Sequence, residues 1–305
     1  MYVTQFMHHC RAGLVLADIG EESTLVYSAD INKIIPFSSV DGPGNRTAIF
    51  LQGCNFNCKY CHNPETRNHC INCMDCVAPC PSAALKNENG KVVFYPEKCI
   101  GCDTCINICK HGATPRIVRL TSEQTFEKIC ENVPFIRGIT FSGGECMLYP
   151  DFMREVFMLC KEKNLGTLID SNGSVDFENH INLLEYTDGV MLDIKAYDRQ
   201  EHINVTDVKN DIVLKNALFL ASVGKLFEVR TVIVPELFDF RKTVFDTSAA
   251  LAPFLVKSNI RYKLISYREN GVRKEYINYR MPTEKEMNEA KEIAQKNGFR
   301  DIVLI

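Results

Sequence analysis

Between residues 70 and 109 the chain uses one cysteine spacing twice: Cys70, Cys73, Cys76 and Cys80, followed by Pro81, then Cys99, Cys102, Cys105 and Cys109. Each run reads C-x2-C-x2-C-x3-C, a density of thiols that no ordinary hydrophobic core requires. A further group, Cys54, Cys58 and Cys61, lies just upstream in GCNFNCKYCHNPE. Small secreted domains use such density for disulfides, but a chain of 305 residues with 46% hydrophobic residues buries a sizeable core without them. Metal ligation is therefore the leading reading of the cysteines. Three thiolates alone make an incomplete tetrahedral set, so the Cys54 group either finds a fourth protein ligand or keeps the fourth position open.

The doubled run has the spacing of bacterial two-cluster ferredoxins, in which the fourth cysteine of each run serves the cluster held by the other. One [4Fe–4S] cluster then takes Cys70, Cys73, Cys76 and Cys109, and the second takes Cys99, Cys102, Cys105 and Cys80. A pair of zinc sites is the competing account, but a zinc site needs only four ligands and has no use for the doubled repeat. Lys110 stands where a second proline is expected, which changes one turn and not the ligand set. Cys130 and Cys160 fall inside helical patterns and read as small buried hydrophobes. Cys10 and Cys146 have no partner at ligand spacing and receive no role.

Charge and hydropathy exclude two classes. A net charge of −3 with acids and bases interspersed leaves no basic stripe, so no nucleic-acid partner is expected. No apolar run approaches the roughly 18 residues of a membrane span, and AGLVLADIG is too short and poorly flanked for a signal peptide. A cytoplasmic protein without a membrane partner is the expectation.

Outside the cysteine-rich segment, short apolar runs alternate with helical patterns, which predicts an α/β fold with a parallel sheet and crossover helices. Strands are expected at TAIFLQG (47–53), GITFSGG (138–144), TLIDSNG (167–173), GVMLDIK (189–195), FEVRTVIVP (227–235) and YKLISY (262–267). Helices are expected over 122–132, 151–163, 177–186, 211–223 and 243–257. A last helix begins at a capping box of Thr283 and Glu286 and stops at Gly298, before a possible closing strand DIVLI. Six βα units are fewer than a full barrel's eight, so the expected architecture is a partial (β/α)6 TIM-like barrel. Residues 66–116 read as an inserted ferredoxin-like module within a barrel of residues 30–65 and 117–305, and residues 1–29 as a loosely ordered N-terminal extension.

Each polar cluster lies at the C-terminal end of a predicted strand: the three-cysteine loop after the first, Ser142 to Glu145 after the second, Asp170 to Gly173 after the third, and Asp193 to Lys195 after the fourth. Singly each has an ordinary explanation, as a turn or a surface ion pair. Together they sit on the edge where α/β barrels build active sites.

The motif C-x3-C-x2-C at Cys54, Cys58 and Cys61, with Tyr60 before the last cysteine, resembles that of the radical S-adenosylmethionine superfamily. The continuation CHNP, the upstream Asp41-Gly42-Pro43-Gly44 with Arg46, and the later SGGE, DSNG and MLDIK resemble glycyl-radical-enzyme activating enzymes. KIIPFSSVDGPGNR and GCDTCINIC are most similar to the YjjW-type activases, which carry a two-cluster ferredoxin insert. The similarity covers roughly residues 30 to 300.

The resemblance implies that Cys54, Cys58 and Cys61 hold three irons of a [4Fe–4S] cluster, with the fourth iron left for the amino and carboxylate groups of S-adenosylmethionine. One-electron cleavage of the sulfonium then gives a 5′-deoxyadenosyl radical. Gly143 and Gly144 are implied to present backbone to the methionine amino group with Glu145 nearby, and Lys195 and Arg230 to face the carboxylate and ribose. Asp170, Ser171, Asp193 and the Met191 carbonyl match ligands of a monovalent cation. Tyr60 is implied to flank the adenine, and SYRENG, with Tyr267 and Arg268, stands where many relatives have a histidine. The implied substrate is a glycine Cα–H in the C-terminal loop of a partner glycyl radical enzyme, with Asp41 near the entering peptide and flavodoxin or ferredoxin as electron donor. The count of three [4Fe–4S] clusters includes the two of the insert. Two other readings stand beside this: a radical enzyme acting on another protein or a small molecule, and a non-enzymatic iron–sulfur electron carrier.

Overall fold

The computed structural model describes residues 26–305. Strands β1 (Ser28–Ser38) and β2 (Arg46–Leu51) precede the cysteine-rich segment, which contains the hairpin β3 (Leu85–Glu88) and β4 (Lys91–Phe94) and helix α1 (Thr104–Ile108). Strand β5 (Val118–Thr121) runs into α2 (Ser122–Cys130), followed by β6 (Gly138–Gly143), α3 (Pro150–Glu162), β7 (Gly166–Ser171) and α4 (Ile181–Leu184). The rest of the chain supplies β8 (Gly189–Asp193), α5 (Arg199–Thr206), α6 (Asp211–Ser222), β9 (Leu226–Ile233), α7 (Phe240–Leu251), β10 (Arg261–Ser266), α8 (Glu284–Lys296) and β11 (Ile302–Leu304).

Among the described residues the main sheet has 9 strands in the order β11-β10-β9-β8-β7-β6-β2-β1-β5. From β2 to β11 every neighbouring pair is parallel, while β1 runs antiparallel to both β2 and β5. The parallel strands are covered on both faces, which is why FEVRTVI in β9 and GITFS in β6 read as nearly continuous buried runs instead of alternating. Helix α3 buries Phe152, Met153, Val156, Phe157 and Cys160 along one face, and Phe152 and Phe157 pack on Phe141 of β6 at centroid distances of 5.8 and 5.4 Å. Helices α2 and α8 both start at complete capping boxes, Thr121 with Gln124 and Thr283 with Glu286.

The sheet curls on itself. Four strands separate β10 from β2, yet Lys263 of β10 donates to the Val40 carbonyl just ahead of β2, at 3.4 Å. The strand order nevertheless stays open, with β5 and β11 at its two edges.

One strand and one helix depart from the sequence reading. Strand β1 was not expected, and Ser28 and Ala29 belong to it, so the proposed extension is shorter than residues 1–29. Cys10 and the rest of residues 1–25 lie outside the described residues. Helix α5 was not expected either, because RQEHINVT carries few apolar residues; it buries His202, Val205 and Thr206 instead.

The cysteine-rich segment leaves the sheet beside Asn68 and returns at Ala113, where the two strands of chain form a parallel bridge. Between them a small separate core gathers Cys76, Leu85 and Cys105 with Val77, Cys80, Val92, Phe94 and Ile106. This core shares no residue with the main one.

Candidate active site

The loop carrying Cys54, Cys58 and Cys61 emerges from the C-terminal end of β2 and is stapled by its own backbone. Gly53 N–H donates to Thr66 O at 2.8 Å and Cys54 N–H to Arg67 O at 2.9 Å, while Asn57 and Lys59 donate to Thr206 O and Val205 O at the end of α5, at 2.9 and 3.0 Å. The Gln52 side chain, fully buried, donates to Glu65 O and Asn68 O at 2.8 and 2.7 Å. The loop is thus shaped before any ligand is considered.

Strand β6 ends against this loop at a distance only glycine permits. A Cβ on Gly144 would lie 2.2 Å from Gly53 O, and one on Gly143, whose φ is +122, would lie 2.2 Å from the Leu51 nitrogen. Gly144 N–H donates to Leu51 O at 3.0 Å and Glu145 N–H to Gly53 O at 2.8 Å. These two amides therefore hold the cysteine loop.

Glu145 is buried at 1% exposure and its carboxylate is fully engaged: Oε1 accepts from Met147 N–H and Ser171 Oγ, each at 2.9 Å, and Oε2 accepts from Asn172 N–H at 2.7 Å. Burial pushes its pKa up to about 7, with those three donors opposing the rise. Asn172 in turn donates through Nδ2 to Asn55 Oδ1 at 3.2 Å and faces Cys54 Sγ at 3.7 Å.

Burial also pushes the Cys54 and Cys58 thiols up to about 12 and raises Cys61; Cys54 feels the charge of Cys61, Cys58 feels both other thiols, and all three feel Lys195. The side chains of Cys54, Cys58, Cys61 and Lys195 therefore share one neighbourhood. Tyr60 lies within it, buried, its hydroxyl without a partner and its ring 5.7 Å from Lys195 Nζ.

Lys195 Nζ pairs with Asp193 Oδ2 at 2.6 Å. Burial alone would lower the lysine pKa, but Asp193, Tyr60 and Cys58 raise it well above the ordinary value, so the ammonium is retained. One strand further, Arg230 joins Asp170 at 2.9 Å and Glu228 at 2.5 Å and donates to Met191 Sδ at 2.8 Å. Asp170 also accepts from Ser142 Oγ at 3.1 Å, and burial raises its pKa against the pull of Arg230. Asp41 stands at the opposite end of β2 from the cysteine loop, with Oδ2 accepting from Ser38 Oγ at 2.5 Å, and acts electrostatically on Asp170 and Lys263.

The eight cysteines of the insert line two hollows. One is lined by Cys70, Cys73, Cys76 and Cys109, the other by Cys80, Cys99, Cys102 and Cys105. Among the described residues no three His, Cys, Asp or Glu side chains converge at the spacing of a single metal ion. Cys146 and Cys160 are fully buried, the Cys146 thiol donating to Asp170 O at 3.3 Å.

Four residues of the site were not singled out in the sequence. Asn172 reads in the sequence only as a turn residue of DSNG. Glu228 and Lys263 flank Arg230 in space: Glu228 lies two residues before it, and Lys263 is its register partner on β10. The i, i+2 relation of Glu228 and Arg230 within an otherwise apolar strand is a usable signal for a buried ion pair. Arg273 belongs to a loop whose course over the site no local pattern announces.

Reaction centres at the C-terminal edge of a curled, mostly parallel sheet define a class of α/β enzymes. The chain belongs to the radical SAM superfamily, whose family model matches residues 48–244. It is similar to the indoleacetate decarboxylase activating enzyme of Tractidigestivibacter scatoligenes, at 29% identity over 90% of this chain and 97% of that one. It is likewise similar to the 4-hydroxyphenylacetate decarboxylase activating enzyme of Clostridioides difficile strain CD196, at 30% identity over 86% of this chain and 92% of that one. Among solved structures, Streptococcus suis SuiB shares the fold at a TM-score of 0.54 and 13% identity, over 83% of this chain and 47% of that one. The protein is an oxidoreductase, and its family implies one [4Fe–4S] cluster and S-adenosylmethionine. Among the described residues no helix is long and apolar enough to cross a membrane.

The residues present fit such a cluster. Cys58 is buried and Cys54 and Cys61 half-buried beside it, so desolvation penalises each thiolate charge unless a metal compensates it, and the raised thiols register that penalty.

Proposed function

We propose that this protein is a glycyl-radical-enzyme activating enzyme that abstracts hydrogen from a glycine in the C-terminal loop of a partner glycyl radical enzyme. The observation that carries the reading is the meeting of the three-cysteine loop with the Gly143-Gly144-Glu145 turn across a contact that admits no side chain. Full-length similarity to proteins named as activating enzymes supports it. The bound cluster and S-adenosylmethionine supply one-electron cleavage of the sulfonium carbon–sulfur bond.

Cys54, Cys58 and Cys61 hold the cluster. Gly143 and Gly144 let the substrate's methionine end approach backbone, and Glu145 orients the Ser171-Asn172 turn beside it while offering negative charge to the ammonium. Lys195 and Arg230 serve the carboxylate and ribose. Tyr60 offers its ring to the adenine. Asp170, Ser171, Asp193 and the Met191 carbonyl are the candidate ligands of a monovalent cation, for which Arg230 and Lys195 must first release the two aspartates they now pair with. Asp41, whose charge reaches Asp170 from the other end of β2, is assigned to the entering peptide.

The hollows of the insert each take a further [4Fe–4S] cluster, giving three in all, and relay electrons from flavodoxin or ferredoxin. Lining by three cysteines of one run and one of the other supports this.

The test combines reduced anaerobic protein, S-adenosylmethionine and a candidate glycyl radical enzyme, read by electron paramagnetic resonance. A glycyl-radical doublet that requires all components is expected. If 5′-deoxyadenosine forms without a doublet for any candidate, the substrate is of another kind. If neither forms with all clusters intact and reduced, the protein is an electron carrier.

A further inference from the structure

The loop that follows β10 lies across the cysteine loop, although four strands stand between β10 and β2 in the sheet. Three contacts join the two. His62 Nε2 is 3.0 Å from Arg268 O. Gly271, at φ +83, packs so closely on the His62 carbonyl that a Cβ there would lie 2.3 Å from its oxygen. Arg273 Nη2 donates to two successive carbonyls of the cysteine loop, Asn57 O at 3.2 Å and Cys58 O at 3.1 Å.

Arg273 is itself held in place. Its guanidinium sits 4.6 Å from the ring centroid of Tyr276, and Nη1 faces Glu275 at 3.8 Å. The Tyr267 hydroxyl, at the base of the loop, donates to Tyr276 O at 3.2 Å and closes the strap from within. A planar fork fixed by stacking loses little entropy when it binds carbonyls, which suits arginine to this place better than lysine. The same guanidinium lies close enough to Cys61 to act on its charge.

We propose that Arg273 is a positioning residue for the cysteine loop: it fixes the Asn57–Cys58 corner from the far edge of the sheet and holds positive charge beside the cluster ligands. The first half rests on geometry alone; the second rests on the cluster reading above. Adding an electron to the cluster makes it more negative, so a fixed cation nearby raises its reduction potential.

Arg273→Gln and Arg273→Lys test both halves on the anaerobically purified protein. Amide hydrogen exchange of the segment 55–62 is expected to speed up about tenfold or more in Arg273→Gln, the effect of losing a charge-assisted pair of hydrogen bonds, with strand amides of β7 and β8 unchanged. The resonance component that changes on adding S-adenosylmethionine is expected to titrate at a more negative potential in Arg273→Gln. Arg273→Lys should recover the potential but only part of the exchange protection. Unaltered exchange in Arg273→Gln overturns the positioning role, and faster exchange with an unaltered potential overturns the charge role. A wild-type protein with no component responsive to S-adenosylmethionine sinks the functional reading while the exchange comparison still decides the positioning.

Discussion

Glu145 joins two loops that the site needs in register. Each of its oxygens meets a donor: Met147 N–H and the Ser171 hydroxyl at one, Asn172 N–H at the other. Glu145→Gln replaces one acceptor oxygen by an NH2 group and leaves a buried donor facing a donor, at a cost of about 1–3 kcal/mol in unfolding free energy. Urea unfolding measures it, and an unchanged midpoint would show that the carboxylate does not tie these loops. The pH dependence has a definite sign. Burial raises this carboxyl from 4.5 to about 7 against the pull of its hydrogen bonds, so the folded chain keeps a proton that the unfolded chain has released. The stabilisation is complete below the unfolded value and lost as pH rises through about 7; wild type should therefore weaken across this window and Glu145→Gln should not. The cysteines, Glu145 and Lys195 were legible in the sequence because their chemistry is local to short motifs at strand ends. Asn172, Glu228 and Lys263 were not, since their roles follow from neighbours on other strands and from register.

At the scale of elements, the joint between β6 and β2 depends on the absence of side chains. Gly144→Ala sets a Cβ within 2.2 Å of Gly53 O and 2.8 Å of Thr66 O, both backbone atoms that cannot rotate away. The joint must open, at a cost on the order of 3 kcal/mol or more, and the Gly144 N–H to Leu51 O bond goes with it. With the cluster ligation proposed above, the expected result is loss of the iron held by Cys54, Cys58 and Cys61 while that proposed for the cysteine-rich segment is kept, read by iron content and by the component sensitive to S-adenosylmethionine; full retention would refute the joint. The parallel strands and their helices were readable because apolar runs with turn residues at their C-terminal ends follow one rule throughout. Strand β1 escaped it: its NKIIPFS stretch carries Pro36, which argues against a strand, and its irregular pairing with β2 between Ile35 and Ser38 is the kind of edge where a proline is tolerated. Helix α5 escaped because its buried face holds His202 and Thr206, polar residues that meet Val208 O and each other through His202 Nδ1 and Thr206 Oγ1, while His202 Nε2 stays buried without a partner.

At the scale of the molecule, the cysteine-rich segment has a small core of its own, and its two ends meet in a parallel bridge between Asn68 and Ala113. Each of its two hollows is lined by three cysteines of one run and one of the other, so the clusters proposed for them would each draw on both runs. This interlocking makes a prediction that separates crossed from nested ligation. Cys109→Ala lies in the second run, yet it should remove the cluster of Cys70, Cys73 and Cys76, about four irons per chain. Combining it with Cys70→Ala should remove no more than either change alone, because both belong to one cluster, whereas combining it with Cys99→Ala should remove about eight. Nested ligation gives the reverse pattern, with Cys109 and Cys99 falling together. If the insert is also the electron path, the Cys70 and Cys99 double variant with its Cys54 cluster intact should activate a partner slowly with flavodoxin and normally with a small strong reductant that reaches the site directly. Equal rates with both donors would leave the insert as a docking element and not a relay.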